Sequence, residues 1–262
     1  MDRHSVSDVL ARADSVPELP RLGGMARAEG VVIASERFWA FATRDGRVRE
    51  GAMPSPPRVL RRVPLLRGLI RLGSALAPLF HGTGVARRGE RLLLVVALLA
   101  PLSLIVLPKS ASLPVALATA VVLLGWMLRG RTLFLHGAEH RAIAAVEEHS
   151  LVSTWSAETK PSRFAPRCGT NFAALVVPVS LAFDRLWPLP AALWTPFAVT
   201  LLSLALTMEL WQVVQGSSSR IARAFLLPGL ALQRLTTREP SDEETRLALT
   251  AVAAVLQREL AA

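Results

Sequence analysis

The chain has 262 residues, 52% of them hydrophobic, and a formal net charge of +10. A mean hydropathy of +0.39 is too apolar for an ordinary soluble domain of this size, and a single cysteine, Cys168, excludes an intramolecular disulfide. The basic excess has no interleaved aromatic platform, helix-turn-helix or zinc-finger spacing, which excludes a nucleic-acid partner and assigns the charge to membrane topology and anionic headgroups.

Residues 1–22 are polar and punctuated by proline, and are predicted as a flexible arm without a cleavable signal peptide. A single membrane domain is expected over 23–255. It opens with a small β-ribbon over 23–57, where VVIAS and FWAFAT-RDG-RVRE alternate like short strands around a turn near Asp45–Gly46. Residues 58–84 mix leucines with Arg58, Arg61, Arg62, Arg67 and Arg71, the composition of a helix lying in the cytoplasmic interface. Three charge-free stretches follow at 92–108, 110–128 and 186–208, each approaching the ~20 residues a bilayer core requires. The stretch 172–183 is shorter and holds Pro178.

Charge placement admits it as a fourth span. Eight arginines against one acid, Glu90, lie between Arg58 and Arg91, and the 129–171 region carries Arg129, Arg131, Arg141, Lys160, Arg163 and Arg167. Spans at 91–108, 110–128, 172–185 and 187–212, with both termini inside, put every basic region on the cytoplasmic face. The predicted fold class is therefore a mainly α polytopic protein of the bacterial inner membrane, with four transmembrane helices plus interfacial and C-terminal amphipathic helices. The C-terminal segment 226–262 is read as cytoplasmic. Within it Ser241, followed three residues later by Glu244, signals a capping box.

The residues that suggest chemistry sit between the second and third predicted spans. In FLHGAEHRA, His136, Glu139 and His140 occupy positions i, i+3 and i+4 and share a helical face. Two imidazoles one turn apart can hold one divalent ion, zinc above all, and H-x-x-E-H is the inverted zincin pattern, with Glu139 as the proton-handling residue. A third ligand must come from elsewhere, and Cys168 at the mouth of the third span is the candidate. Glu147 is about 10 Å farther along a straight helix at 1.5 Å per residue, so it is assigned outside the ligand set. Glu29 stands beside an apolar strand and Glu209 near the end of the last span. The same residues also permit a plainer reading, as helix-face hydrogen-bonding groups and a small buried thiol.

Four segments together resemble one family. GGMARAEGVVI is similar to that family's GGQAVIEGVMM, LHGAEHRAI to YHGAEHKTI, APRCGTNF to HPRCGTSF, and PGLALQRLTTREPSDEE to PGLWLQRLTTREPDDEQ. These are motifs of the YqhQ-like domain-of-unknown-function family of bacterial membrane proteins, labelled predicted metal-dependent enzymes, and the resemblance runs from about Gly23 to Val255. It implies that Glu29, His136, Glu139, His140, Glu147, Cys168 and Glu209 stand at family motif positions. It adds Arg167, Gly169, Thr170, Gln233, Arg234, Thr236, Thr237, Arg238 and Glu239. Ala165 replaces the histidine before PRCGT, Met25 a glutamine and Arg141 a lysine.

The expected function is metal-dependent, zinc-type hydrolysis at the cytoplasmic membrane boundary, on a lipid-like or membrane-peptide substrate. His136, His140 and Cys168 would hold the metal, Glu139 would move the proton, and Arg167 or Arg234 would orient an anionic group. The alternative is a non-catalytic scaffold or assembly factor in which the same cluster is a structural network. A transporter ranks last, because the spans carry almost no ionisable residues at mid-depth.

Overall fold

The computed structural model describes residues 3–57, 59–80, 85–92, 130–188, 194–217 and 219–262, with positions 95, 96, 111, 114, 115, 118, 122, 125 and 192 between them. In chain order the elements are α1 (Arg3–Asp14), β1 (Gly23–Arg27), β2 (Gly30–Ala34), β3 (Phe38–Thr43), β4 (Val48–Ala52), a 3-10 turn (Leu60–Arg62), α2 (Leu66–Phe80), α3 (Thr132–Glu147), α4 (Leu151–Trp155), α5 (Gly169–Leu186), α6 (Thr195–Gly216), α7 (Arg220–Thr236) and α8 (Asp242–Ala261). They divide into two compact units, each assembled from separated stretches of chain.

The first unit comprises Met1–Ser55, Arg129–Cys168 and Leu230–Ala262. Its strands form an antiparallel meander, β1-β2-β3-β4. Alternation along β2 sends Val31 and Ile33 into the core with Ala40 and Ala42 of β3. Val32 and Phe41, paired in register, are buried on the opposite face. Helices α3 and α8 cover the core face. α8 fits because its TAVAAV run is small, so the helix lies close to β2 and β3 with Ala251, Val252 and Ala253 fully enclosed. Its start is the capping box anticipated from the sequence: Ser241 Oγ accepts the Glu244 N–H, and the Glu244 carboxylate accepts the Ser241 N–H.

The first 22 residues differ from the expected arm. Val6, Leu10 and Ala13 of α1, spaced i, i+4, i+7, are buried in the same core. Each large apolar side chain buried there contributes roughly 1.5–3 kcal/mol. The Asp14 carboxylate accepts the N–H groups of Leu151 and Val152 and so caps α4 from outside that helix.

The second unit comprises Pro56–Leu128 and Gly169–Gly229, and its described helices pack α5 on α6 and α2 on α6. Gly68 makes the second contact possible: a Cβ there would stand 2.7 Å from the Ala205 carbonyl oxygen. Arg67 then reaches the Glu209 carboxylate through two Nε contacts of 2.7 and 2.9 Å and one from Nη2 at 2.5 Å. Glu209 is therefore a paired acid on α6.

The four-span, mainly α fold class is corrected here. Among the described residues one helix is long and apolar enough to cross a membrane, the 21-residue stretch Thr195–Gln215 with mean hydropathy 1.7. The predicted span 172–185 lies in α5, whose apolar part, Gly169–Phe183, is a shorter helix. The span predicted at 187–212 begins only at Thr195, because Pro188 and Pro190 precede the helix and Pro196 sits in its first turn. The spans predicted at 91–108 and 110–128 fall almost wholly outside the described residues. A four-stranded antiparallel sheet with its own helical cover stands where a small ribbon was expected.

Candidate metal centre

Helix α3 is unusual in burying polar residues: Glu139, His140 and Arg141 are each at most 4% exposed. Such groups persist in a core only with partners. His136 Nδ1–H donates to the Thr236 carbonyl at 2.9 Å, and His140 Nδ1–H donates to the Arg163 carbonyl at 2.7 Å. Both rings thereby present Nε2 as a lone pair, the orientation that a metal-binding imidazole requires of its outer partners. His136 Nε2 lies 3.3 Å from Cys168 Sγ, while His140 Nε2 is buried with no polar partner among the described residues.

One donor atom each from His136, His140 and Cys168 falls within 4.8 Å of the others. Nitrogen and sulfur at about 2.0–2.1 and 2.3 Å on one tetrahedral ion stand roughly 3.5 Å apart, so the His136–Cys168 separation already fits and His140 needs only a small closure. Burial holds both imidazoles below their ordinary range. For His140, desolvation first and the neighbouring His136 second push the value down to about 3, against the raising effect of the Arg163 carbonyl. For His136 the direction is the same, with burial again the larger cause. Neutral imidazoles and a buried thiol form the borderline-soft donor set that zinc takes.

Three further contacts fix the donors. Gln233, fully buried, holds both backbone groups of Ala165: its Nε2 donates to the Ala165 carbonyl at 2.8 Å and its Oε1 accepts the Ala165 N–H at 2.9 Å. The Cys168 N–H closes on the same carbonyl at 3.3 Å, so Gln233 sets the turn that presents Sγ. Gly137 lets the TTREP segment approach α3, because a Cβ would meet the Arg238 carbonyl oxygen at 2.2 Å. Arg141 donates to the Pro161 carbonyl at 3.1 Å, to the Pro240 carbonyl and to Glu239, which also accepts from Arg163. The guanidinium of Arg141 holds the Glu239 carboxyl below the usual range. Lysine, with one compact charge, would not span those three acceptors.

Glu139 shares the helix but not the donor set. Its carboxyl accepts the Ala26 N–H of β1 and lies over Gly24, where a Cβ would stand 2.6 Å from Glu139 Cγ. Burial pushes it up to about 8, so it holds a proton at neutral pH, and its Oε2 is buried without a partner among the described residues. Glu147 and Arg167 pair with each other at 2.8 Å, both partly exposed, on an open cleft of about 470 Å³ lined also by Glu18, Arg21, Ile143 and His149. Glu29 is exposed in the β1–β2 turn. Glu209 and Thr170 belong to the second unit. Thr237 donates its hydroxyl to the Gln233 carbonyl, Arg238 caps the end of α7 through the Arg234 carbonyl, and the Arg234 side chain is exposed.

The profile of the family described as Protein of unknown function (DUF1385) matches residues 96–258, more than half of the chain and every member of the donor set. The chain belongs to this DUF1385 family. Over 129 residues it is also 30% identical to the Uncharacterized protein YqhQ of Bacillus subtilis (strain 168), an alignment covering 47% of this chain and 40% of that relative, so the chain aligns with less than half of the relative's length. No solved structure matches. The GGMARAEG segment, with Gly24 and Glu29, lies ahead of the matched DUF1385 region. Motif reasoning passed over Gly24, Gly137 and the Arg163 carbonyl. A glycine inside the helical HGAEH was the available signal, since it lowers helix stability unless a neighbour needs the space.

Proposed function

We propose that this DUF1385 member is a membrane-attached, zinc-type metalloprotein whose His136–His140–Cys168 centre performs hydrolysis on a membrane-borne substrate. The observation that carries the reading is the paired Nδ1 anchoring, which leaves His140 Nε2 buried and without a partner among the described residues, beside a group of donor atoms from His136, His140 and Cys168 within 4.8 Å of one another. Three protein donors leave a coordination position open, the pattern of catalytic zinc, which supplies Lewis-acid polarisation of a carbonyl or phosphoryl group when bound. Glu139, protonated at neutral pH and turned toward β1, is given no proton-transfer step in this scheme. Arg167, half-exposed on its cleft, is the cation assigned to an anionic substrate group. Membrane attachment rests on the 21-residue apolar stretch of α6.

A second reading, a structural metal, is favoured by one observation. His140 and Cys168 are buried, and none of the three donors lines the cleft that holds Arg167. Cobalt(II) spectroscopy separates the two. Tetrahedral ligand-field bands with a thiolate charge-transfer band, shifted by azide or another small anion, support an open site. Bands unmoved by anions support the structural reading, and no cobalt uptake contradicts both.

A further inference from the structure

The open cleft that holds Arg167 lies wholly within the first unit. Part of its lining is α3, where Ile143 and Glu147 follow His136 at i+7 and i+11. With His136 and His140 these positions share one helical face, so the cleft begins about one turn beyond the histidines. Arg167, on the same cleft, directly precedes Cys168.

Residues 17–22 line the cleft as well. Pro20 biases Leu19 toward an extended backbone. Among the described residues the peptide groups of Glu18 and Leu19 and the N–H of Arg21 make no hydrogen bond. An unpaired main-chain run of this kind is what an extended peptide pairs with.

The lining carries charge of both signs. Glu147 and Arg167 pair with each other at 2.8 Å. Glu18 and Arg21 are exposed and make no ion pair among the described residues. Three residue steps separate these two, at most about 10 Å of extended chain, and a tripeptide on the same scale is equally long. Its free ends would place an ammonium and a carboxylate at matching spacing, whereas a ligand of one sign would meet a repelling charge. The volume of about 470 Å³ is that of a small-ligand site, typically about 300–1,000 Å³, and Leu22 and Ile143 supply its apolar surface.

We propose that this cleft binds a short extended peptide with free ends. Its carboxylate is held by the lining guanidiniums, Arg21 first, and its ammonium by the lining carboxylates, Glu18 first. Naming peptides as the substrate class rests on the hydrolytic reading above, but the binding itself needs no metal.

The test is isothermal titration calorimetry of the full chain, freed of metal by a chelator and held in a non-ionic detergent. The probes are Ala-Leu-Ala, its N-acetyl form and its C-terminal amide. The expected result is one site for the free tripeptide, with each cap weakening binding about fivefold, as fits exposed ion pairs. Arg21→Gln should make acid and amide bind alike while the acetyl cap still weakens binding, and Glu18→Gln should do the converse. Both are surface changes that leave the core intact. Absence of saturable binding overturns the proposal, as does equal affinity for all three probes or a carboxylate preference that survives Arg21→Gln. Glycerophosphoethanolamine carries both charges without a peptide group, and its displacing the tripeptide at equal concentration overturns the proposal too. His140→Ala should bind the tripeptide as wild type does. Tripeptide binding by a chain that takes up no zinc would sink the hydrolytic reading and leave this site standing, and zinc uptake without tripeptide binding would do the reverse.

Discussion

Gln233 contributes a side-chain amide to both backbone groups of a single residue, Ala165, three residues before Cys168. Replacing it with leucine keeps the volume and removes both bonds, so the 165–168 turn loses its register. Outer-sphere substitutions of this kind weaken metal affinity by about 10–100-fold. Competition with a chromophoric chelator should show that loss for Gln233→Leu, while Arg234→Gln, on the exposed neighbour, should leave affinity unchanged. Glu139 allows a second prediction. In metal-free protein its folded value, about 8, lies above the unfolded carboxyl value, so the native state binds the extra proton. Its contribution to stability is complete below about pH 4.5 and is lost as pH rises toward 8. His140 acts in the opposite sense: depressed to about 3, it contributes above the unfolded histidine value, and that contribution fades as pH falls from about 6.5 toward 3. Urea titrations should therefore find Glu139→Gln more stable than wild type at pH 8.5 and the difference shrinking toward pH 5. A constant difference would contradict the buried-acid assignment.

At the scale of elements, Gly137 and the cap of α8 decide how the TTREP segment docks. Gly137→Ala drives a methyl into the Arg238 carbonyl oxygen, and overpacking of this kind costs about 1–3 kcal/mol. Ser241→Ala removes the cap and costs ~1 kcal/mol. Thermal unfolding should register both, and only Gly137→Ala should also disturb metal uptake, since Thr236 in the adjoining segment anchors His136. The cap was readable in the sequence because it depends on residues three apart. The pairing of His136 with His140 was readable for the same reason, as was the turn near Asp45–Gly46, where Gly46 has φ of 81°. Helix α1 was not, because a polar composition hid a three-residue apolar stripe and its cap partner, Leu151, lies 137 positions away. The direction of Glu139 was equally hidden. Helical spacing set its face, but the Ala26 N–H and the room above Gly24 drew the carboxyl toward the sheet.

At the scale of the molecule, hydropathy and arginine counts described the composition of the second unit well and its architecture less so. They marked an apolar α6 and the shortness of α5 but did not foresee the proline-delayed start of α6. They also gave no sign that 1–22 folds with the sheet, 129–168 and 230–262 into one unit, because those contacts are non-local and rest on small residues such as Ala251 and Ala253. That assembly brings His136 and His140 to Cys168. The most direct test is the metal content of the purified full chain by mass spectrometry, for wild type, His140→Ala and Cys168→Ser, each checked for folding by circular dichroism. Close to one zinc per wild-type chain, lost in both folded variants, is the expected result. A folded wild type that stays metal-free after zinc supplementation, or variants that keep their zinc, would contradict the centre and leave His136, His140 and Cys168 as a hydrogen-bonded core cluster.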